Sequence, residues 1–284
     1  MILLADSGAT KTTWTALGGP EEQTFETAGI SPYFFDSDQI TQLLEKEVLP
    51  WLSDLRISKI YYYGTGCSSP QNINIVQQGI AQAFAQVNHI EVQSDMMGTA
   101  RALCQRSAGI ACILGTGSNS CYYDGSQIIR NNPAPGFILG DEGSGAYLGK
   151  KVLQYFIYET FDEELMHRFR SKYQTNYRQI LDRVYKGEWP NRFLASFAPF
   201  LSENRGHYMV ENIIEDGLCD FIFTHLYKYP ETWTVPLHFT GSIAWHFKDV
   251  LAELCLSFEL QLGTVLKSPM EGLITYHTPD LAIK

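Results

Sequence analysis

An apolar run over residues 1–5 breaks at once into Asp6-Ser7-Gly8-Ala9-Thr10-Lys11-Thr12-Thr13 and resumes at Trp14, Ala16 and Leu17. This predicts a strand, a tight turn rich in glycine and hydroxyls, and a second strand. Further on, Ile40, Leu43, Leu44, Val48 and Leu52 recur at helical spacing up to a break near Pro50, and residues 57–63 cluster as a strand. Residues 72–87 repeat the helical pattern. Residues 89–93 predict another strand, which ends in Ser94-Asp95 just ahead of a helix-prone stretch at 99–105.

The pattern then restarts. Residues 108–114 form a nearly continuous apolar strand, Gly115-Thr116-Gly117-Ser118 is a turn, and 120–123 with 127–130 predict a hairpin around Asp124-Gly125. Strand, Gly/Thr/Ser turn and strand thus occur twice, about 110 residues apart, which predicts two similarly built lobes. The boundary falls near residues 106–108, giving an N-terminal lobe over 1–107 and a C-terminal lobe over 108–284. From 146 to about 226 the chain reads as mainly helical, with apolar spacing at 148–156 and 193–201. Strand character returns at 236–239, followed by Thr240-Gly241-Ser242, a helix from 243 to about 262, and a short tail.

Bulk properties narrow the function classes. The 284 residues, 45% of them apolar, fill a sizeable core in each of two domains. A formal charge of −10, from 31 acidic against 21 basic residues, repels nucleic acid and anionic membranes, so any bound anion must be gripped locally. Neither a leader-like opening nor a membrane-length apolar stretch is present, which leads to the expectation of a cytoplasmic protein. The six cysteines lack C-x-x-C spacing and read as reduced, mostly buried thiols. Seven histidines without paired spacing give no zinc centre. An aromatic content of 13% permits an apolar interface, and so a homodimer, without locating one.

Three turns carry candidate chemistry. In Asp6–Thr12, Gly8 lets backbone approach a phosphate, the amides and hydroxyls of Ser7, Ala9, Thr10 and Thr12 can donate to its oxygens, Lys11 can lie nearby, and Asp6 can position Mg²⁺. The first glycine of a P-loop is missing. Gly115-Thr116-Gly117-Ser118 makes a second compact anion nest. Gly241-Ser242, between a strand and a helix, can let an adenine or ribose lie against backbone. Each turn alone is equally well an ordinary hairpin or a common strand-to-helix junction.

In this order and spacing, the three resemble the phosphate-1, phosphate-2 and adenosine motifs of the actin, heat-shock chaperone and sugar kinase superfamily. Within it, residues 6–13, 94–101, 115–120, Gly136-Phe137-Ile138-Leu139-Gly140-Asp141-Glu142-Gly143-Ser144-Gly145 and Ser268-Pro269-Met270-Glu271-Gly272-Leu273 look like the N-acetylglucosamine kinase and benzoyl-CoA reductase activator family. The resemblance runs from residue 2 to about 276, and the helical stretch at 155–230 carries no matching motif.

The resemblance implies an α/β fold of two ribonuclease-H-like lobes around a nucleotide cleft, ATP held by both glycine turns, and Mg²⁺ near Asp6. It implies a kinase whose partner is a small amino sugar, most naturally N-acetylglucosamine converted to its 6-phosphate. The base is expected at Asp95, at the carboxyl edge of a strand and a helix start. The competing reading of Ser94 or Asp95 is a helix N-cap. Asp141 is expected to bind acceptor hydroxyls, while Glu142 reads as helix capping. Thr65-Gly66 and Ser31 are the other expected acceptor contacts, although the asparagine usual near Ser31 is not evident.

Two other functions fit the family or fold: an ATPase that drives electrons into a radical enzyme, and a silent nucleotide-dependent sugar sensor. The first needs iron–sulfur cysteines after the second phosphate turn. Only Cys121 lies in 119–151, inside a predicted strand. Retention of Asp6, Asp95 and Asp141 weighs against the second.

Overall fold

The computed structural model describes residues 1–8, 11–19, 22–52 and 55–279. The chain divides into two units, one of Met1–Arg106 joined by the segment from Pro269, the other of Ser107–Ser268.

In the first unit, β1 (Ile2–Ser7), β2 (Lys11–Leu17), β3 (Gln23–Ala28), β4 (Lys59–Gly64) and β5 (His89–Ser94) form a sheet in the order β3-β2-β1-β4-β5. The pairs β1/β2 and β2/β3 are antiparallel, whereas β1/β4 and β4/β5 are parallel. Central β1 buries Leu3, Leu4 and Ala5 completely, as expected for a strand covered on both faces. Outer β3 instead alternates, burying Phe25 and Thr27. A capping box between Asp36 and Gln39 starts α1 (Ser37–Glu47), and Ser69 with Pro70 starts α2 (Pro70–Ala83). The two helices meet at Gly79, where a Cβ would lie 2.7 Å from the Ile40 side chain. Helix α3 (Asp95–Cys104) follows β5 directly.

The second unit repeats the plan. Strands β6 (Gly109–Leu114), β7 (Ser118–Tyr123), β8 (Ile128–Asn131), β9 (Leu237–Thr240) and β10 (Leu262–Leu266) are ordered β10-β9-β6-β7-β8. Again the first strand is central, with its antiparallel hairpin partners on one side and two parallel strands on the other. Both sheets therefore have the strand order of one lobe of an actin-like ATPase.

Eight helices belong to this unit: α4 (Gly145–Ile157), α5 (Glu163–Tyr173), α6 (Tyr177–Lys186), α7 (Pro190–Ala195), α8 (Pro199–Glu203), α9 (Tyr208–Thr224), α10 (Ser242–His246) and α11 (Lys248–Ser257). The helix expected over 193–201 is broken into α7 and α8. Pro199 supplies no N–H and its ring clashes with a preceding turn, so it opens a helix instead of continuing one. The single helix expected over 243–262 is also two, and its end is β10, a part-exposed strand whose Gly263 and Thr264 give little apolar signal.

The tail from Pro269, read from sequence as part of the second lobe, lies with the first unit. There α12 (Met270–His277) buries Met270 and Leu273 against Leu4, Leu17, Tyr63 and Ala102. Gly272 makes this possible, since any Cβ would run into the Ala102 carbonyl oxygen. Gln105 Nε2 joins the two helices by donating to Ala102 O at 2.7 Å and Gly272 O at 3.0 Å.

Five of the six cysteines are buried and none is in a disulfide. Among the described residues no helix is long and apolar enough to cross a membrane. Because the α3–α12 contact is backbone against backbone, Gly272→Ala should destabilise the protein by about 2 kcal/mol, while Glu271→Ala on the exposed face should stay within about 0.5 kcal/mol. Urea unfolding midpoints of the two variants test this.

Candidate functional site

The register of β1, β4 and β5 sets Ser7, Gly64 and Ser94 abreast at the carboxyl ends of the parallel strands. Thr65 N extends the ladder by donating to Ser7 O at 2.9 Å. Asp6, Thr65 and Asp95 are thereby fixed around one strand edge, where a parallel sheet presents functional groups.

The cap of α3 is Ser94, whose Oγ accepts from Met97 N at 3.2 Å. Asp95 is the next residue and is released from that duty. One of its oxygens accepts from Met96 N at 2.8 Å, and the neighbouring Thr65 hydroxyl favours the charged form of the same carboxyl group. Burial nevertheless pushes the Asp95 carboxyl above its ordinary range, with these hydrogen bonds opposing the shift. Asp6 is pushed up to about 7, chiefly by burial and then by the negative charge of Asp95, with Lys11 acting the other way. Two neighbouring carboxyl groups that burial raises together, one of them further raised by the charge of the other, are a feature of functional sites.

The turn after β1 is closed by Gly8 N donating to Lys11 O at 2.9 Å, and Ala9 and Thr10 lie outside the described residues. The hydroxyls of Ser7 and Thr12 point inward. They are 2.7 Å apart, Thr12 Oγ1 donates to Ala28 O at 3.2 Å, and Ser7 Oγ takes a hydrogen bond from Ile30 N at 3.3 Å. They tie the turn to the segment at 28–31. Lys11 is exposed and paired with Glu26 at 2.5 Å.

Ser31 is buried, and its carbonyl accepts from Phe34 N and Phe35 N, so residues 31–35 form a closed turn. Gly66, at φ +80°, lies under this turn, where a Cβ would meet Tyr33 and Pro32 at 3.1 and 3.2 Å. The two loops expected to contact the acceptor are thus side by side. Cys67 beside them is buried, and burial with the charge of Asp95 pushes its thiol up to about 12.

In the second unit, Gly115–Ser118 links β6 to β7, with Gly115 N donating to Gly117 O at 3.0 Å. Helix α4 starts against it. Gly145 N donates to Gly115 O at 2.8 Å and Ala146 N to Thr116 O at 3.0 Å, while Ser144 caps the helix through Tyr147 N. Gly241, at φ +113°, lets the turn after β9 press on the backbone of Leu114 and Gly115; any Cβ would collide with the Leu114 carbonyl. The second and third glycine turns are therefore in direct contact.

Asp141 also belongs to this cluster. It is buried, adopts the left-handed conformation at φ 59°, and accepts from Ser118 N at 3.4 Å. A non-glycine residue held there costs about 1–3 kcal/mol, a strain that collects at functional positions. Burial raises its carboxyl group, opposed by the Ser118 amide; Glu142 adds to the rise, and His225 and Lys150 lower it. Glu142 does not cap α4. It pairs with the buried ring of His225 at 2.9 Å, a partner 83 residues away in sequence.

A cavity of about 220 Å³ opens beside these turns. One end is Gly115, Thr116, Gly145 and Ser242. The remaining wall comes from Ala195, Ala198, Pro199 and Ser202 around α7 and α8, with His246 and Phe247 from α10 and its end. The helical stretch at 155–230, which carried no motif, thus supplies one side of the cavity. No sequence signal marked these residues, because small side chains around two prolines read only as helix breaks.

Comparison with solved structures bears on this arrangement. A candidate N-acetylglucosamine kinase of Porphyromonas gingivalis superposes with a TM-score of 0.93 at 40% identity, over 99% of this chain and all (100%) of that one. A candidate N-acetylglucosamine kinase of Chromobacterium violaceum gives a TM-score of 0.69 at 16% identity, over 97% and 98% of the two chains. MreB5 of Spiroplasma citri, solved with ADP, gives 0.57 at 10% identity over 99% and 95%, a likeness of fold. No protein-family model matches the chain, and no curated relative matches it.

Fold and turns define an ATP-dependent sugar kinase built on the actin-like ATPase plan. More narrowly, the chain belongs to the N-acetylglucosamine kinase family represented by the P. gingivalis protein.

The Gly117 position generates a direct test. A Cβ there would lie 3.0 Å from Asp141 Oδ2, with the turn itself free of any backbone obstruction. Gly117→Val should therefore weaken ADP binding by about tenfold or more, the scale of one hydrogen bond to a charged group, with little loss of thermal stability. Calorimetric titration beside a melting curve checks both; retained binding with collapsed stability would reduce Gly117 to a turn residue.

Proposed function

We propose that this protein transfers the γ-phosphoryl group of Mg²⁺-ATP to a hydroxyl of an amino sugar, N-acetylglucosamine being the acceptor favoured by its family, to give the 6-phosphate. The observation that carries the reading is the posture of Asp95. It stands at the carboxyl edge of a parallel sheet, relieved of helix capping by Ser94 and oriented by the Met96 amide, with the Thr65 hydroxyl favouring its charged form. A carboxylate so fixed can accept the acceptor hydroxyl's proton as that oxygen attacks the γ-phosphorus and ADP departs.

The donor set also suits the metal. Mg²⁺ is a hard cation that keeps several waters and needs only one or two carboxylates besides phosphate oxygens. Asp6 is a part-buried oxygen ligand, and a divalent cation would relieve the repulsion it feels from Asp95. Asp6 would hold it, and the ion would neutralise charge on the phosphates.

The glycine turns take the nucleotide. Amides of Thr116 and Gly117 suit phosphate oxygens, those of Gly115 and Ser118 being used on Gly117 O and Asp141, and the cavity beyond them, below the ~300–1,000 Å³ of pockets that hold a whole drug-sized ligand, suits the nucleoside part. The amide of Gly8 is used within its turn, and the hydroxyls of Ser7 and Thr12 serve the loop at 28–31. Their contribution is to shape the first turn, and the exposed Lys11 is assigned to phosphate. Asp141, Ser31, Thr65 and Gly66 are assigned to the acceptor side.

A coupled ADP-release assay across amino sugars and hexoses tests the reaction. Release that depends on N-acetylglucosamine is expected, and sugar-independent release would point to the electron-activating ATPase instead. Asp95→Asn should retain ATP and sugar binding while turnover falls by about 10²–10⁴, the range of a positioned base; near-normal turnover would remove Asp95 from the mechanism. Thr65→Val should lower kcat by about tenfold through loss of the hydroxyl that favours the charged Asp95 carboxylate, with Thr65→Ser restoring it. An unchanged kcat in the valine variant would leave Asp95 oriented by backbone alone.

A further inference from the structure

Two polar side chains stand in the cavity wall away from the glycine turns, Ser202 from α8 and His246 from α10. Each has already spent its proton. His246 Nδ1 is 2.7 Å from the carbonyl oxygen of Ser242, which can only accept, so Nδ1 carries the hydrogen and the neutral ring's Nε2 is left with a lone pair. Ser202 Oγ donates its single hydrogen to Pro199 O at 2.9 Å, leaving lone pairs too. Beside them the wall is apolar, from Ala195, Ala198 and Pro199.

We propose that His246 and Ser202 form an acceptor-only edge that selects the 6-amino group of adenine over a 6-keto base. This rests on the reading that the nucleotide's base enters this cavity. An exocyclic amino group brings two hydrogens, which the two acceptors can share. The keto oxygen of hypoxanthine or guanine brings lone pairs against lone pairs, and each polar atom that loses water without gaining a partner counts against binding. Selectivity of this kind comes from groups left unpaired by the wrong ligand more than from added contact with the right one. Both acceptors are fixed by backbone carbonyls one helical turn away, so neither can rotate to become a donor without breaking that bond. His246 is exposed at its outer side, which keeps the discrimination modest.

The test compares ADP with IDP, which differ in the base at position 6 and at the N1 hydrogen that follows from it, by calorimetry on the full chain, with no sugar present. The wild-type protein should bind ADP at least about tenfold more tightly than IDP, the order set by one well-placed hydrogen bond. His246→Ala should close the gap chiefly by raising IDP affinity towards that of ADP, with a smaller loss for ADP, and His246→Gln, whose amide oxygen accepts, should recover part of the preference. Ser202→Ala should act in the same direction. Equal wild-type affinities, or a His246→Ala loss shared equally by both nucleotides, would overturn the selection. Melting curves for each variant separate this from unfolding. Because binding is read without turnover, an ADP preference lost in His246→Ala supports the selection even where no sugar is phosphorylated, whereas sugar-dependent turnover with equal ATP and ITP use refutes it and leaves the kinase reading standing.

Discussion

Everything proposed for the first unit depends on the register of three parallel strands. Because β1, β4 and β5 end level at Ser7, Gly64 and Ser94, the residues that follow emerge side by side. A slip of one residue on any strand would exchange its two faces and separate Asp6, Thr65 and Asp95. Apolar residues hold the register from within: Leu3, Ile60 and Val92 are buried along the three strands. The second unit solves the corresponding problem differently, through backbone contact. Gly241 against Leu114 and Gly115, and Gly145 N against Gly115 O, lock two turns and a helix start together with hardly any side chain involved.

That difference explains which parts could be read from the sequence. The duplicated strand-turn-strand pattern was legible because it is local and carried by strong apolar runs, and the sheet orders bear out the two-lobed α/β expectation. Glycine turns were visible for the same reason. The allegiance of α12 was not, since a glycine that nests on the Ala102 carbonyl looks like any other glycine in a short helix. Strand β10 escaped because it is half exposed and interrupted by Gly263.

At the site, sequence identified the polar residues of the turns but not their direction. Ser7 and Thr12 were expected to face phosphate, yet they face inward, because a hydroxyl on a buried strand end must find a partner and the loop at 28–31 offers one. Glu142 was read as a cap, and its pairing with His225 joins the loop ahead of α4 to the end of α9 across a distance no motif spans. Thr65 was named as an acceptor contact, and its hydroxyl also favours the charged form of Asp95. The sequence carried no hint that α7 and α8 would wall a cavity, as their contribution is backbone and small side chains around Pro190 and Pro199.

The placement of α12 has a consequence for the order of synthesis. The second unit, Ser107–Ser268, is continuous and leaves the ribosome whole, whereas the first begins with Met1 and still lacks its covering helix until that entire unit has been made. During translation the surface formed by Leu4, Leu17, Tyr63 and Ala102 therefore stays open to solvent while more than half of the chain is added, an apolar face exposed to chaperones and to neighbouring nascent chains. The half that is made first is in this respect the last to be finished.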